Sequence, residues 1–175
     1  MVGNIATGKG QLEILKAFHL LSKNYPNIKL VFVGAGDTST LKTFIYDNQL
    51  QSLVSITGFQ ENTELYYLKT DILIANSARE AFGRVLIEAS SYAIPVIARS
   101  TGASTEIIIA QETGILHDGS IESIYQALHN LLHDNKLRSR LGEAGWKRCS
   151  ELYNFEYSFQ QFESVVNQLY IDAKH

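Results

Sequence analysis

A single cysteine, Cys149, leaves this chain of 175 residues without any internal disulfide, which fits a reducing compartment. No apolar run approaches the roughly 18 residues that a membrane-spanning helix needs, and no signal-peptide pattern opens the chain. Positive charge is not in excess either: 15 Lys and Arg stand against 18 Asp and Glu, a net charge of −3. That balance argues against a nucleic-acid partner, which calls for a basic face. Prolines number only two, Pro26 and Pro95, and each falls where a helix is expected to end. Repeats and low-complexity segments are lacking. What is present is 45% apolar residues over a length suited to one domain, residues 1–175, with a real core. Met1-Val2-Gly3 reads as the tail of a strand whose apolar beginning is missing, so an excised domain is expected.

The most informative stretch runs from Asp71 to Ala98. Ile72, Leu73, Ile74 and Ala75 form a short apolar run without alternation, which reads as a buried strand. Asn76 and Ser77 end it, and a turn leads to Phe82-Gly83. From there a helix is expected, carrying Val85, Leu86, Ala89 and Ala93 near helical spacing. Pro95 is expected to stop it, and Pro95 to Ala98 to begin the next buried strand. In such a unit the loop at the strand's carboxyl end lies beside the helix N-terminus. Free backbone N–H groups and the positive dipole end make that a seat for an anion. Gly83 would let a ligand approach the backbone closely. Two carboxylates, Glu80 and Glu88, flank the seat.

The remaining chain alternates strands and helices. A glycine-bearing loop from Gly3 to Gly10 precedes an amphipathic helix over Gln11–Asn24. Strands are expected at Leu30–Val33, Val54–Thr57 and Gly114–Leu116. Helices are expected from Ser39 or Thr40, as cap, to Asn48, over Glu61–Leu68 and briefly over Thr105–Ala110. Ser120 caps another through His133, and Lys136–Cys149 follows. Asn154 caps a last one through Tyr170, with Phe155, Phe159, Phe162, Val165, Val166 and Leu169 as an apolar stripe. Short loops between alternating elements specify an α/β fold, a Rossmann-like parallel sheet doubly wound with helices on both faces.

These pieces resemble, in family order, the C-terminal domain of a GT-B glycosyltransferase of the group 1 retaining type. The resemblance is carried by Gly3 with Lys9-Gly10, by Val33-Gly34-Ala35-Gly36 and by Thr57-Gly58-Phe59. Glu80-Ala-Phe-Gly-Arg-Val-Leu-Ile-Glu88 is its most specific part, with seven residues between the glutamates. Pro95-Val96-Ile97-Ala98, Gly102 with Glu106, and Thr113-Gly114-Ile115-Leu116 complete it. The resemblance implies a donor-binding half whose active cleft is shared with an N-terminal, acceptor-binding domain absent here. It implies a nucleotide-diphosphate sugar, UDP- or GDP-linked, as donor and a glycan or lipid as acceptor. It also implies a cytoplasmic enzyme, peripherally associated with the inner face of the membrane in its full-length form, and inactive as this fragment.

Transfer expels a nucleoside diphosphate, so charge growing on the leaving phosphate has to be stabilised. The resemblance assigns this to Lys9 and the amides around Gly83, without a bound metal and without a cofactor. Lys9 otherwise reads as an exposed lysine at a helix start. Arg84 either adds a bidentate clamp or coats its helix. Where the family often carries arginine, this chain has Asn4, a departure that Arg84 compensates in the clamp reading. Glu88 resembles the glutamate that accepts the ribose hydroxyls, and Glu80 the one that faces the donor sugar. As plain residues they read as a solvated helix glutamate and a charge complementing the helix dipole. Gly3, Asn4, Phe82, Gly83, Arg84 and Val85 count as donor-binding through their motifs. Gly34 and Gly36 line the nucleotide pocket or form a plain turn. Phe59 borders the base or fills core, with core favoured. Glu106 is expected to make a structural hydrogen bond, and His117, His129 and His133 to lie at the surface.

Other classes remain open at this point. A GT-B sugar-nucleotide epimerase shares the architecture, though the Glu80–Glu88 spacing argues against it. A flavodoxin-like interaction module would ignore nucleoside diphosphates altogether. Hydrolysis by the carboxylate pair would not need a phosphate seat. The apolar stripe after Asn154 is expected either to pack on its own sheet or to be exposed and drive self-association.

Overall fold

In the computed structural model the residues described are 1–154, Gln160 and Glu163. The short β-branched runs become strands β1 (Leu30–Phe32), β2 (Val54–Ile56), β3 (Leu73–Ala75), β4 (Val96–Arg99) and β5 (Gly114–His117). The helices are α1 (Gln11–Ser22), α2 (Ser39–Asp47), α3 (Glu64–Tyr67), α4 (Arg84–Ser91), α5 (Ser104–Ile107), α6 (Ile121–His133) and α7 (Asn135–Leu152). β1 pairs with β2, and β4 lies between β3 and β5, every pair parallel. Parallel pairs need a crossover connection, which the intervening helices supply.

The opening residues run alongside β1 and the residues that follow it. Val2 pairs with Val33 and Ile5 with Gly36, both parallel, and the Met1 amino group donates to the Val31 carbonyl at 2.9 Å. A cleft of about 550 Å³ separates this segment from β3, lined among others by Met1, Val2, Val31, Leu73 and Ile74.

Both faces of the second sheet are buried, and the reason is the period of two along a strand. Ile74 and Ile97 point into a core shared with Ile14, Leu15 and Phe18 of α1 and with Ile124 and Leu131 of α6. Their neighbours Leu73, Val96 and Ala98 point the other way, onto Leu86 and Ala89 of α4 and Ile107 of α5. This is why the strands read as unbroken apolar runs. Helix α7 lies against α4 through small residues: a side chain at Gly142 would collide with the Ala93 carbonyl. No helix among the described residues is long and apolar enough to cross a membrane.

Several element ends differ from the sequence reading. Helix α4 stops at Ser91, well before Pro95, because Ala93 takes a left-handed φ of 54° and Ile94 donates back to the Ala89 carbonyl at 3.1 Å. Neither Ser39 nor Thr40 caps α2. The Asp37 carboxylate accepts the Ser39 N–H at 2.9 Å instead. Ser120 does cap α6, its hydroxyl accepting the Ser123 N–H at 3.2 Å. Asn154 Nδ2 donates to the Ser150 carbonyl at 2.6 Å, at the end of α7, and the helix it is expected to cap lies outside the described residues. The apolar stripe beyond it lies outside the described residues.

Candidate functional site

Loops at the carboxyl ends of the parallel strands meet in one place, which is where open α/β sheets bind ligands. The Gly3–Gly10 loop docks onto the loop after β3: Ala78 donates to the Gly8 carbonyl at 2.8 Å, and Asn76 Nδ2 reaches the Gly10 carbonyl at 3.4 Å. Gly10, at φ 70°, has no room for a side chain because Asn76 fills that space. Thr101, after β4, donates to the Ser77 carbonyl at 2.9 Å, and Ala103 to the Glu80 carbonyl at 2.9 Å. Three separate loops are thereby held against one another.

At their junction Lys9, Ser77, Glu80 and Gly83 come together. Lys9 Nζ donates to Ser77 Oγ at 3.3 Å and stands 3.6 Å from Glu80 Oε2. Glu80 Oε1 accepts the Gly83 N–H at 3.1 Å, so the carboxylate sits at the start of α4. Gly83 itself is the N-cap, with φ 65° and no room for a side chain against Ile107. An anion is thus already seated where N–H groups and the dipole favour one, and it belongs to the protein. The Glu80 side chain keeps 19% of its surface and that of Lys9 38%, so solvent reaches both.

Glu88 lies five positions beyond Gly83, about 7 Å along the helix axis. The Tyr67 hydroxyl donates to its Oε2 at 2.6 Å. Tyr67 is buried in the core between α3 and α4, and burial, with the Glu88 charge beside it, pushes its phenol well above the ordinary value. Sequence reasoning missed both Tyr67 and Ser77. For Ser77 there was a signal, a small polar residue directly after a buried strand. For Tyr67 there was none.

The other expected site residues fall out as follows. Gly34 and Gly36 are close-approach positions rather than plain turns: at φ 149° and 138°, a Cβ would collide with the carbonyls of Gly3 and Ile5. Gly3 donates to Val33 at 2.8 Å, and the Asn4 carbonyl accepts Gln11 Nε2 at 2.8 Å, leaving the Asn4 side chain exposed. Phe59 does not fill core; it is 75% exposed, and Phe82 is 80% exposed. Arg84 is exposed at the first turn of α4. The Val85 side chain is partly buried and packs against the core cluster that holds Leu86 and Ala89. Among the described residues Glu106 makes its hydrogen bond through the backbone, its carbonyl accepting from Arg148 Nη2 at 2.8 Å, and not through the carboxylate.

His117 is not at the surface. It is buried under the junction, with Nδ1 accepting the Gly119 N–H at 3.1 Å and Nε2 3.3 Å from the Ala75 carbonyl. Burial lowers its pKa below the usual histidine value. Among the described residues no cluster of His, Cys, Asp and Glu could hold a metal ion. The 550 Å³ cleft is lined by none of Lys9, Glu80 and Glu88; it marks the gap between the two ladders.

A parallel α/β domain in which a basic residue, a carboxylate and a helix N-terminus meet at the strand ends is of the Rossmann-like class. The particular family follows from comparison with known proteins. Residues 1–148 match the family model for group 1 glycosyl transferases, and the chain belongs to that family. It is 28% identical over 171 residues to the capsular polysaccharide biosynthesis glycosyltransferase CapM of Staphylococcus aureus, covering 95% of this chain and 44% of that protein. The poly(glycerol-phosphate) alpha-glucosyltransferase of Bacillus subtilis is 27% identical, over 97% of this chain and 25% of its own length. The chain therefore spans less than half the length of these curated relatives. Among solved structures, the C-terminal domain of a group 1 family glycosyl transferase, LpcC of Francisella tularensis, superposes with a TM-score of 0.82. It is 27% identical, with 88% of this chain and 85% of that one covered. The fold is also that of Anabaena HepE, solved in complex with UDP, at a TM-score of 0.87 and 21% identity over 95% of this chain and 48% of that one.

Proposed function

We propose that this chain is the donor-binding half of a retaining glycosyltransferase, taking a UDP- or GDP-linked sugar for transfer to a glycan or lipid acceptor held by a second domain. The observation that carries the reading is the convergence of Lys9, Ser77, Glu80 and the Gly83 N–H at the start of α4, in a chain of this family. Lys9 and the Gly83 N–H then receive the diphosphate. Glu80, which occupies that place in the free chain, turns aside to the donor sugar. One anion replaces another, so the positive groups are never left uncompensated. Glu88 accepts the ribose hydroxyls, since a carboxylate offers two oxygens to a diol. Charge appearing on the leaving diphosphate meets Lys9 and the amides of the first α4 turn, with no role for a metal or cofactor. The full-length enzyme works in the cytoplasm at the inner face of the membrane.

Calorimetric titration with UDP, GDP and ADP tests the reading. Weak binding of UDP or GDP is expected, unaffected by a chelator, with no sugar transfer by residues 1–175 alone, because no acceptor is positioned for attack. Glu88→Ala should weaken that binding by about 1–3 kcal/mol, the size of a lost hydrogen bond to a charged group, and leave pyrophosphate binding as it was. A chain that ignores all three nucleotides is an interaction module, not a donor-binding half. Product analysis on the full-length enzyme then reads the anomeric configuration, and an inverted product would remove the retaining assignment.

A further inference from the structure

Tyr67 and Glu88 come from different elements, yet they form one of the shortest side-chain hydrogen bonds among the described residues, 2.6 Å from phenol to Oε2. The two residues are unequal in freedom. Tyr67 is 3% exposed and packs with Leu73, Leu86 and Ala89. Its ring stacks on Tyr92 at 5.6 Å with 12° between planes. Its N–H donates to the Thr63 carbonyl at 3.3 Å. Glu88, by contrast, is half-buried on the face of α4, where an unrestrained glutamate samples several rotamers. The phenol is the fixed partner and the carboxylate the one that is held.

We propose that Tyr67 is a positioning residue that presets the Glu88 carboxylate for a ribose diol. The proposal rests on the reading of Glu88 given above. With Oε2 engaged on its tyrosine side, Oε1 and the remaining lone pair of Oε2 are left for two incoming hydroxyls. An ionised carboxylate accepts at about four sites, so one donor from the protein and two from a diol fit without competition. A buried phenol also keeps its proton throughout the neutral range, because burial and the adjoining charge oppose ionisation. Tyr67 therefore remains a donor and the carboxylate an acceptor. The rotamer entropy that Glu88 would otherwise lose on ligand binding is lost on folding instead, which is preorganisation in the ordinary sense. Tyr92 completes the support from the C-terminal end of the same helix, holding the ring and not the hydroxyl.

A plain structural role has the same appearance in the free protein, since a buried tyrosine hydroxyl finds an acceptor anyway. Ligand discrimination separates the two. Tyr67→Phe keeps ring, packing and stacking and deletes only the hydroxyl. Titrations of this variant with whichever of UDP and GDP binds the parent, with its 2′,3′-dideoxy analogue and with pyrophosphate form the experiment. The expected result is a three- to tenfold weaker affinity for the ribonucleotide, with pyrophosphate and the dideoxy analogue within twofold of the parent. In a Glu88→Ala background the same substitution should have no further effect, and Tyr92→Phe should leave the ribonucleotide unchanged. Equal weakening of pyrophosphate, or no change for the ribonucleotide while Glu88→Ala weakens it, overturns the positioning role and leaves the ribose reading standing. An unaltered affinity in Glu88→Ala, or a parent chain that binds no nucleoside diphosphate, overturns both.

Discussion

Lys9 reaches the start of α4 across a sequence separation of 68 residues to meet Ser77, and its ion pair with Glu80 is partly open to water. Pairs of this exposure contribute below about 1 kcal/mol, which suits a contact that ligand binding has to exchange. Lys9→Met should therefore leave thermal stability nearly unchanged while weakening UDP or GDP and pyrophosphate together, by roughly 1.5–3 kcal/mol for a lost charged contact. Calorimetry beside a melting curve checks both halves, and a loss confined to the nucleotide would remove Lys9 from the phosphate site. His117 carries a different expectation. Its two bonds fit the neutral imidazole with the proton on Nε2, since Nδ1 accepts from Gly119. Burial lowers its folded pKa below 6.5. The unfolded state then binds more protons just below pH 6.5, so this contribution to stability is present above that pH and is lost as pH falls towards the folded pKa. Melting curves of the parent and of His117→Gln from pH 7.5 to 5.5 should converge on acidification. A constant gap would show that the imidazole does not titrate in that window.

At the scale of elements, the loops are shaped by close backbone approach more than by side chains. The chain after β1 lies so near residues 3–5 that a methyl group at Gly34 would meet the Gly3 carbonyl. Gly34→Ala adds that collision to the cost of a φ of 149°, and a loss of about 2–5 kcal/mol is expected in chemical denaturation. An unchanged midpoint would mean that the loop shifts freely. Helix α6 presents the opposite case, a local solution. Ser120 satisfies one of its orphan N–H groups, and Ser120→Ala should cost about 1 kcal/mol.

Among the described residues the molecule is two parallel ladders with a cleft between them, sharing one of its two apolar clusters. Ile5, Leu30, Phe32 and Val54 from the first ladder pack into the same cluster as Ile74, Ile97 and Ile115 from the second, through α1 and α6. Shared burial of this kind couples the halves, so unfolding should be a single cooperative transition. Leu131, fully buried on α6, tests this: Leu131→Ala should lower stability by about 2–5 kcal/mol with circular dichroism and tryptophan fluorescence moving together. Two separated transitions would mean that the ladders fold independently.

What the sequence by itself determined is local and periodic. Short apolar runs, bounded by glycine or small polar residues, placed the strands to within a residue or two, most clearly β3 and β4, which are buried on both faces and so carry few polar positions. The Glu80–Glu88 stretch marked the strand–loop–helix unit, since its loop and helix N-terminus are neighbours in any βαβ crossover. The tertiary structure alone decided what lies across elements. Whether Phe59 is core or surface and whether His117 meets water depend on how layers stack, which no short-range period encodes. The same holds for Tyr67 and Glu88, 21 residues apart. Their spacing carries no helical or strand signal, and only the packing of α3 against α4 brings phenol and carboxylate together.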